Sequence, residues 1–184
     1  MYPKDIGYIL LRLNIIPGSK AIEAGTGSGG LTQVLAAYMG DKGHVFSFEM
    51  RDEMQNLAKK NLARINLSER VTFVSRNIQD GFEIENADAL FLDLPNPYDY
   101  LLQIIQALKP GGYFGTLLPT TNQLNKLLIN LARNDFIFVD VCEILLRFYQ
   151  SEPEKFRPVD RMVAHTGFLV FARSILPKQE TPHS

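Results

Sequence analysis

A mostly parallel α/β sheet of seven strands, ending in an antiparallel C-terminal hairpin, is the fold class this sequence predicts. Three observations predict it. Short apolar runs rich in Val, Ile and Phe alternate with segments of helical period, as in strands joined by crossover helices. A glycine-rich turn, residues 25–30, follows the first apolar run and precedes a helix. The last two apolar runs have only a polar loop between them, so they are antiparallel neighbours.

The elements follow in order. An opening helix runs around Ile6 to Leu13, and Pro17 with Gly18 turns the chain into a buried strand, KAIEA, at 20–24. A helix from Gly30 to Tyr38 precedes a turn at Asp41 to Gly43 and a strand within GHVFSFE, 43–49. Met54, Leu57, Ala58 and Leu62 recur at helical spacing, and RVTFVS, 70–75, is the third strand. ADALFLDLP, 87–95, is the fourth; its apolar run ends in an acid followed by proline. Leu101, Leu102, Ile105 and Leu108 mark a helix that leads into KPGGYFGTLLP, 109–119, where Pro110 and Gly111 form the turn and the apolar part is the fifth strand. Residues 121–133 give another helix. The final two strands are expected over 135–149 and 162–173, and residues 176–184 are read as a disordered tail after one domain over 1–175.

Composition excludes several classes. With 184 residues the chain has room for one core, and 46% hydrophobic residues exclude a disordered protein. A single cysteine, Cys142, leaves no internal disulfide, and no His, Cys or carboxylate spacing calls for a metal. Lys4, Asp5 and Arg12 interrupt the only apolar stretch near the start, so no signal peptide is read, and no apolar run reaches the roughly 18 residues of a membrane span. A soluble, cytoplasmic protein is expected. A formal charge of −1 argues against nucleic-acid binding by bulk charge, though not by a local basic patch.

The chemistry-bearing residues concentrate at strand ends. In AIEAGTGSGGLT, Gly25, Gly27 and Gly29 permit a tight turn and close backbone approach to a ligand. Glu23 stands two residues before the first glycine, and Glu49 ends the second strand, where doubly wound folds place an acid that accepts from ribose hydroxyls. Asp93 follows Leu90, Phe91 and Leu92 and precedes Leu94, Pro95, Asn96 and Pro97, a carboxylate held at the crevice by prolines that stop the strand. This E-x-G-x-G-x-G pattern resembles the first motif of class I S-adenosylmethionine-dependent methyltransferases, with a Rossmann-like fold, more than an NAD site, which remains the rival.

Over nearly the whole chain, up to about Ile175, the sequence resembles the catalytic domain of the tRNA adenine-N1 methyltransferases that act on T-loop position 58 and, in archaeal members, also position 57. The matching pieces are YPKD at Tyr2 to Asp5, EAGTGSGGLT at Glu23 to Thr32, Glu49 within FSFEMR, DLPNP at Asp93 to Pro97, ALKPGG at Ala107 to Gly112, and RPVDRMVAHTGFLVFAR at Arg157 to Arg173. The resemblance implies that Gly25, Gly27, Ser28, Gly29, Gly30 and Leu31, with Glu23, cradle S-adenosylmethionine. It assigns the ribose to Glu49 beside Met50, the adenine to Asn77 and Ile78, and catalysis to Asp93, which also borders the cofactor. Many members carry an acid where this chain has Asn77. Tyr2 matches a position near the target base, and Tyr98 and His165 are further substrate-side candidates. The resemblance also implies a homotetramer, and it leaves the small N-terminal β domain usual in the family absent here.

Arg157 and Arg161, near Arg147 and Lys155, form a candidate phosphate-contacting patch for tRNA; the alternative is a solvated loop balanced by Glu152, Glu154 and Asp160. Other readings are a methyltransferase of a small molecule such as a corrin precursor, one acting on protein isoaspartate, and a non-catalytic tRNA-binding subunit. The last would not need the glycine loop and Asp93.

Overall fold

The computed structural model describes residues 1–175; the tail expected over 176–184 lies outside them. The helices are α1 (Pro3–Arg12), α2 (Gly30–Met39), α3 (Asp52–Ala63), α4 (Leu101–Ala107) and α5 (Thr121–Leu131). The strands are β1 (Lys20–Ala24), β2 (His44–Phe48), β3 (Val71–Val74), β4 (Ala87–Leu92), β5 (Leu108–Leu118), β6 (Phe136–Cys142) and β7 (Phe168–Ser174). They form one seven-stranded sheet in the order β3-β2-β1-β4-β5-β7-β6. β7 runs antiparallel to both β5 and β6, and the remaining pairs are parallel, as the sequence predicts.

Successive side chains of a strand point to opposite faces, and both faces are buried here. In β4, Leu90 and Leu92 join the cluster under α4 and α5 with Ile104, Leu127 and Leu131. Ala89 and Phe91 join the opposite cluster, with Ile9 and Leu13 from the α1 side, Leu35 and Met39 from α2, and Leu62 from α3. That two-sided burial is why the parallel strands read as continuous apolar runs.

The C-terminal pair is shorter than its apolar content suggests. β6 ends at Cys142 instead of 149, and β7 begins at Phe168 instead of 162. β5 offers ladder positions to β7 only up to Leu118, which pairs with Phe168, so earlier residues have no neighbour on that side. β6 is an edge strand with a register break between Ile137 and Asp140, where Phe138 takes a positive φ of 52°. Between the two strands only one isolated bridge, Tyr149 with Pro158, forms. At the other end of the sheet's long strand, Pro110 and Gly111 lie within β5 at a register shift against β4, not before it.

Lys4 ties the chain's beginning to its end. Its buried ammonium donates to Asp5 Oδ1 at 2.9 Å and to Thr166 Oγ1 at 2.6 Å, which joins the YPKD segment to HTGF. Among the described residues no helix is long and apolar enough to cross a membrane.

Candidate active site

Register sets the site. Glu23 lies between Ser47 and Phe91, and Ala24 between Phe48 and Leu92, so β1, β2 and β4 finish side by side. The strand order turns around at β1 and β4, the crevice where open α/β sheets bind ligands. The next residue on each strand is therefore Gly25, Glu49 and Asp93, in a row. Main-chain bonds continue the alignment: Gly25 N–H donates to the Phe48 carbonyl and Asp93 N–H to the Ala24 carbonyl, each at 2.9 Å.

The glycines have different tasks. A Cβ on Gly25, whose φ is +93°, would sit 2.5 Å from the Asp93 carbonyl oxygen. Only glycine lets the loop approach the catalytic candidate so closely. Gly29, with φ +84°, packs on α3 against Leu62 and Ala58, whereas Gly27 (φ +54°) faces open space.

A cavity of about 500 Å³ opens along this row, lined by Ala24, Gly25, Gly27, Phe48, Glu49, Met50, Arg51, Arg76, Asn77, Ile78, Asp93, Leu94, Pro95 and Tyr100. It brings together seven of the residues singled out from sequence: Gly25, Gly27, Glu49, Met50, Asn77, Ile78 and Asp93. The other loop residues shape it from behind. Leu31 is buried in the core, Gly30 opens α2, and the Ser28 carbonyl accepts from Asn61 Nδ2 at 3.0 Å.

Glu23 is also behind the loop. Its Oε2 accepts from Thr32 Oγ1 at 2.5 Å and from Ser47 Oγ at 2.8 Å, and Ser47 in turn meets Thr26 Oγ1 at 2.6 Å. Burial pushes its carboxyl up to about 7, against the pull of the two hydroxyls. Glu49 goes the other way. Burial would raise it, but the Arg51 side chain and the main-chain N–H groups of Arg51 and Gly27 together hold it below the ordinary carboxylate range.

Asp93 is solvent-accessible at the cavity mouth, and its carboxylate accepts no hydrogen bond from any described residue. Burial against the protein raises its pKa. An uncompensated carboxylate of this kind gains most from a cationic or amine partner.

The substrate-side candidates lie around this cavity without lining it. Tyr2 and Arg161 share a neighbouring, mostly apolar cavity of about 340 Å³ with Lys4, Leu146, Phe148, Met162 and Val163. Tyr98 stacks under the Lys126 ammonium, 3.9 Å from the ring centre, and Arg157 is paired with Asp160. His165 donates from Nδ1 to Glu143 and from Nε2 to the Pro119 carbonyl, an arrangement that wants both ring nitrogens protonated; these two acceptors raise its pKa.

Sequence reasoning missed Arg51, Arg76 and Tyr100. Arg51 sits two positions beyond Glu49 in FSFEMR, close enough to have been suspected as its counter-ion. Tyr100 needed the 3₁₀ turn over Pro97–Asp99, which carries position 100 to the cavity and Tyr98 away from it. The loop is pinned there by Gln123, whose Nε2 donates to the Pro95 carbonyl at 2.9 Å.

The chain as a whole is similar to known proteins. Residues 1–157 match the family model described as tRNA methyltransferase complex GCD14 subunit. The chain is 32% identical to the tRNA (adenine(57)-N(1)/adenine(58)-N(1))-methyltransferase TrmI of Methanocaldococcus jannaschii, over 94% of this chain and 71% of that protein. Among solved structures it is similar to the tRNA (m1A58) methyltransferase TrmI from Aquifex aeolicus, at 40% identity and a TM-score of 0.90 over 96% of this chain and 70% of that one. A SAM-dependent O-methyltransferase from Thermotoga maritima superimposes with a TM-score of 0.94 at 44% identity, over 98% of this chain and 68% of that one.

Proposed function

Because this chain belongs to the GCD14 family of tRNA methyltransferases, we propose that it transfers a methyl group from S-adenosylmethionine to N1 of adenine in the tRNA T-loop, at position 58 and, as in the archaeal relative's name, position 57. The observation that carries this reading is Asp93, a carboxylate without a hydrogen-bond partner among the described residues, at the mouth of a glycine-loop cavity that also holds a second, ionised carboxylate, Glu49.

The residues present fit the cofactor. Gly27 leaves open the space that a Cβ would take, Glu49 holds an ionised carboxylate, paired here with Arg51, where ribose hydroxyls would lie, and Met50, Asn77 and Ile78 flank the position for an adenine ring. Glu23, Ser28, Gly29, Gly30 and Leu31 keep the loop in shape behind them. When bound, S-adenosylmethionine supplies an electrophilic methyl on a sulfonium.

Adenine N1 has a free lone pair at neutral pH, so the chain needs no base to expose it. Positive charge spreads to the exocyclic amine as N1 takes the methyl. Asp93 accepts from that amine and stabilises the charge as it develops, which is electrostatic preorganisation and not proton abstraction. The raised pKa of Asp93 means that activity falls as pH drops through it. N1 lies on the Watson–Crick edge, so the base is turned out of its stack at a cost of a few kcal/mol. Tyr2 and Tyr98 are the aromatic candidates to receive it, and Arg157, Arg161 and His165 the groups for flanking phosphates.

We further assign the chain to the cytoplasm as an RNA-binding homo-oligomer, a tetramer, with residues 1–175 as its catalytic domain. The support for assembly is apolar surface beside the site: Leu145, Phe148 and Phe156 are each more than three-fifths exposed.

The test is incubation of the protein with labelled S-adenosylmethionine and unmodified tRNA, digestion to nucleosides, and mapping by primer extension, which stops at N1-methyladenine. Label in N1-methyladenosine with a stop at the T-loop is the expected result. Label on a ribose or other oxygen, in another nucleoside, or in small molecules only would overturn it.

A further inference from the structure

Glu49 has no acceptor capacity to spare. A carboxylate offers about four lone-pair positions, two on each oxygen. Oε1 accepts from the Arg51 main-chain N–H at 3.0 Å and from Arg51 Nε at 2.9 Å. Oε2 accepts from the Gly27 N–H and from an Arg51 terminal guanidinium nitrogen, both at 3.0 Å. All four positions are used.

The four donors differ in kind. Two are main-chain groups, one in the glycine loop and one in the turn between β2 and α3, and they stay wherever those backbones stay. The other two belong to one side chain, about 65% exposed, whose only hydrogen bonds among the described residues are these. The movable donors number one on each carboxylate oxygen. A ribose cis-diol brings the same number: two hydroxyls, one for each oxygen.

On the reading that this cavity takes the adenosyl group, we propose that the Arg51 guanidinium occupies the two Glu49 acceptor positions that the ribose hydroxyls require, and that it must swing out for the ligand to bind. Arg51 thus stands as an internal competitor of the cofactor. It keeps the buried Glu49 charge paired in the free protein and sets a threshold that only a ligand with both hydroxyls can meet by replacement in kind. A ligand lacking the diol has nothing to offer Glu49 and leaves the arginine in place.

Partly exposed ion pairs contribute little, so the competition is mild: removing the guanidinium should tighten binding of a diol-bearing ligand about two- to fivefold. The experiment is calorimetric titration of wild type, Arg51→Ala and Arg51→Met with S-adenosylhomocysteine and with its 2′,3′-dideoxy analogue, which has the same charge. The expected result is tighter binding of S-adenosylhomocysteine by both variants, with the analogue binding all three proteins alike. In the wild type, nitrogen-15 NMR should also show the Arg51 Nε–H resonance shifting and exchanging faster with water on addition of S-adenosylhomocysteine, but not of the analogue. Equal or weaker binding of S-adenosylhomocysteine by both variants overturns the proposal, as does a gain that persists with the analogue. Failure of the wild type to bind S-adenosylhomocysteine at all would instead overturn the cofactor reading, and this proposal with it.

Discussion

Glu23 and Glu49 stand at the ends of neighbouring strands and titrate in opposite directions because of what each is given. Glu23 is sealed in the interior with two hydroxyl donors and no cationic partner among the described residues, and its carboxyl is pushed up to about 7 from an ordinary 4.5. Glu49 receives a guanidinium fork and two main-chain N–H groups, and stays ionised. Since the folded pKa of Glu23 exceeds the unfolded one, its contribution to stability is fully present below pH 4.5 and is lost as pH rises through about 7. The loss is on the order of a few kcal/mol. Glu23→Gln keeps an acceptor for Thr32 or Ser47 and cannot ionise, so its melting temperature should change less than that of the wild type between about pH 5 and 7.5. Calorimetry at both pH values checks this; identical slopes for the two proteins would show that Glu23 does not carry the linkage.

At the level of elements, the parallel half of the sheet was readable because burial on both faces leaves an unbroken apolar run. β1 is the plainest case: the run KAIEA coincides with the strand, and Ile22 and Ala24 face one cluster while Ala21 faces the other. The C-terminal pair was overextended for a related reason. Leu145, Leu146, Phe148 and Val163 are as apolar as strand residues, but they cover no core of this chain and lie exposed. Periodicity cannot separate a residue that is buried by its own fold from one that the fold leaves at the surface. β6 shares this character, with Ile137, Phe138, Val139 and Val141 all exposed along an edge strand. Self-association through this edge and its loop is expected. Phe138→Glu, at a position 73% exposed, should lower the molar mass measured by light scattering without changing the melting temperature by more than about 2 °C. A monomeric wild type at micromolar concentration would contradict the assembly.

Across the whole molecule, the motifs scattered along the chain converge on one edge, ALKPGG at the opposite end of β5 excepted. YPKD meets HTGF through Lys4 and Thr166, DLPNP is held by Gln123 from the segment after β5, and the glycine loop closes on Asp93 through Gly25. The glycine loop, the two strand-end acids and Asp93 were legible because each sits at a junction whose residue types are constrained by backbone geometry. Tyr100, Arg51 and Arg76 were not, because their place depends on a short turn and on side-chain pairing that spacing does not encode. On the proposed reading, Asp93 is the group that meets the positive charge developing on the target adenine. The most direct test is the single-turnover rate of methyl transfer to tRNA by wild type and Asp93→Ala at saturating S-adenosylmethionine, with the affinity for S-adenosylmethionine measured alongside. The rate is predicted to fall by about 10²–10³, with affinity changed far less. A variant that kept a near-wild-type rate, or lost only its affinity for S-adenosylmethionine, would contradict the role assigned to Asp93.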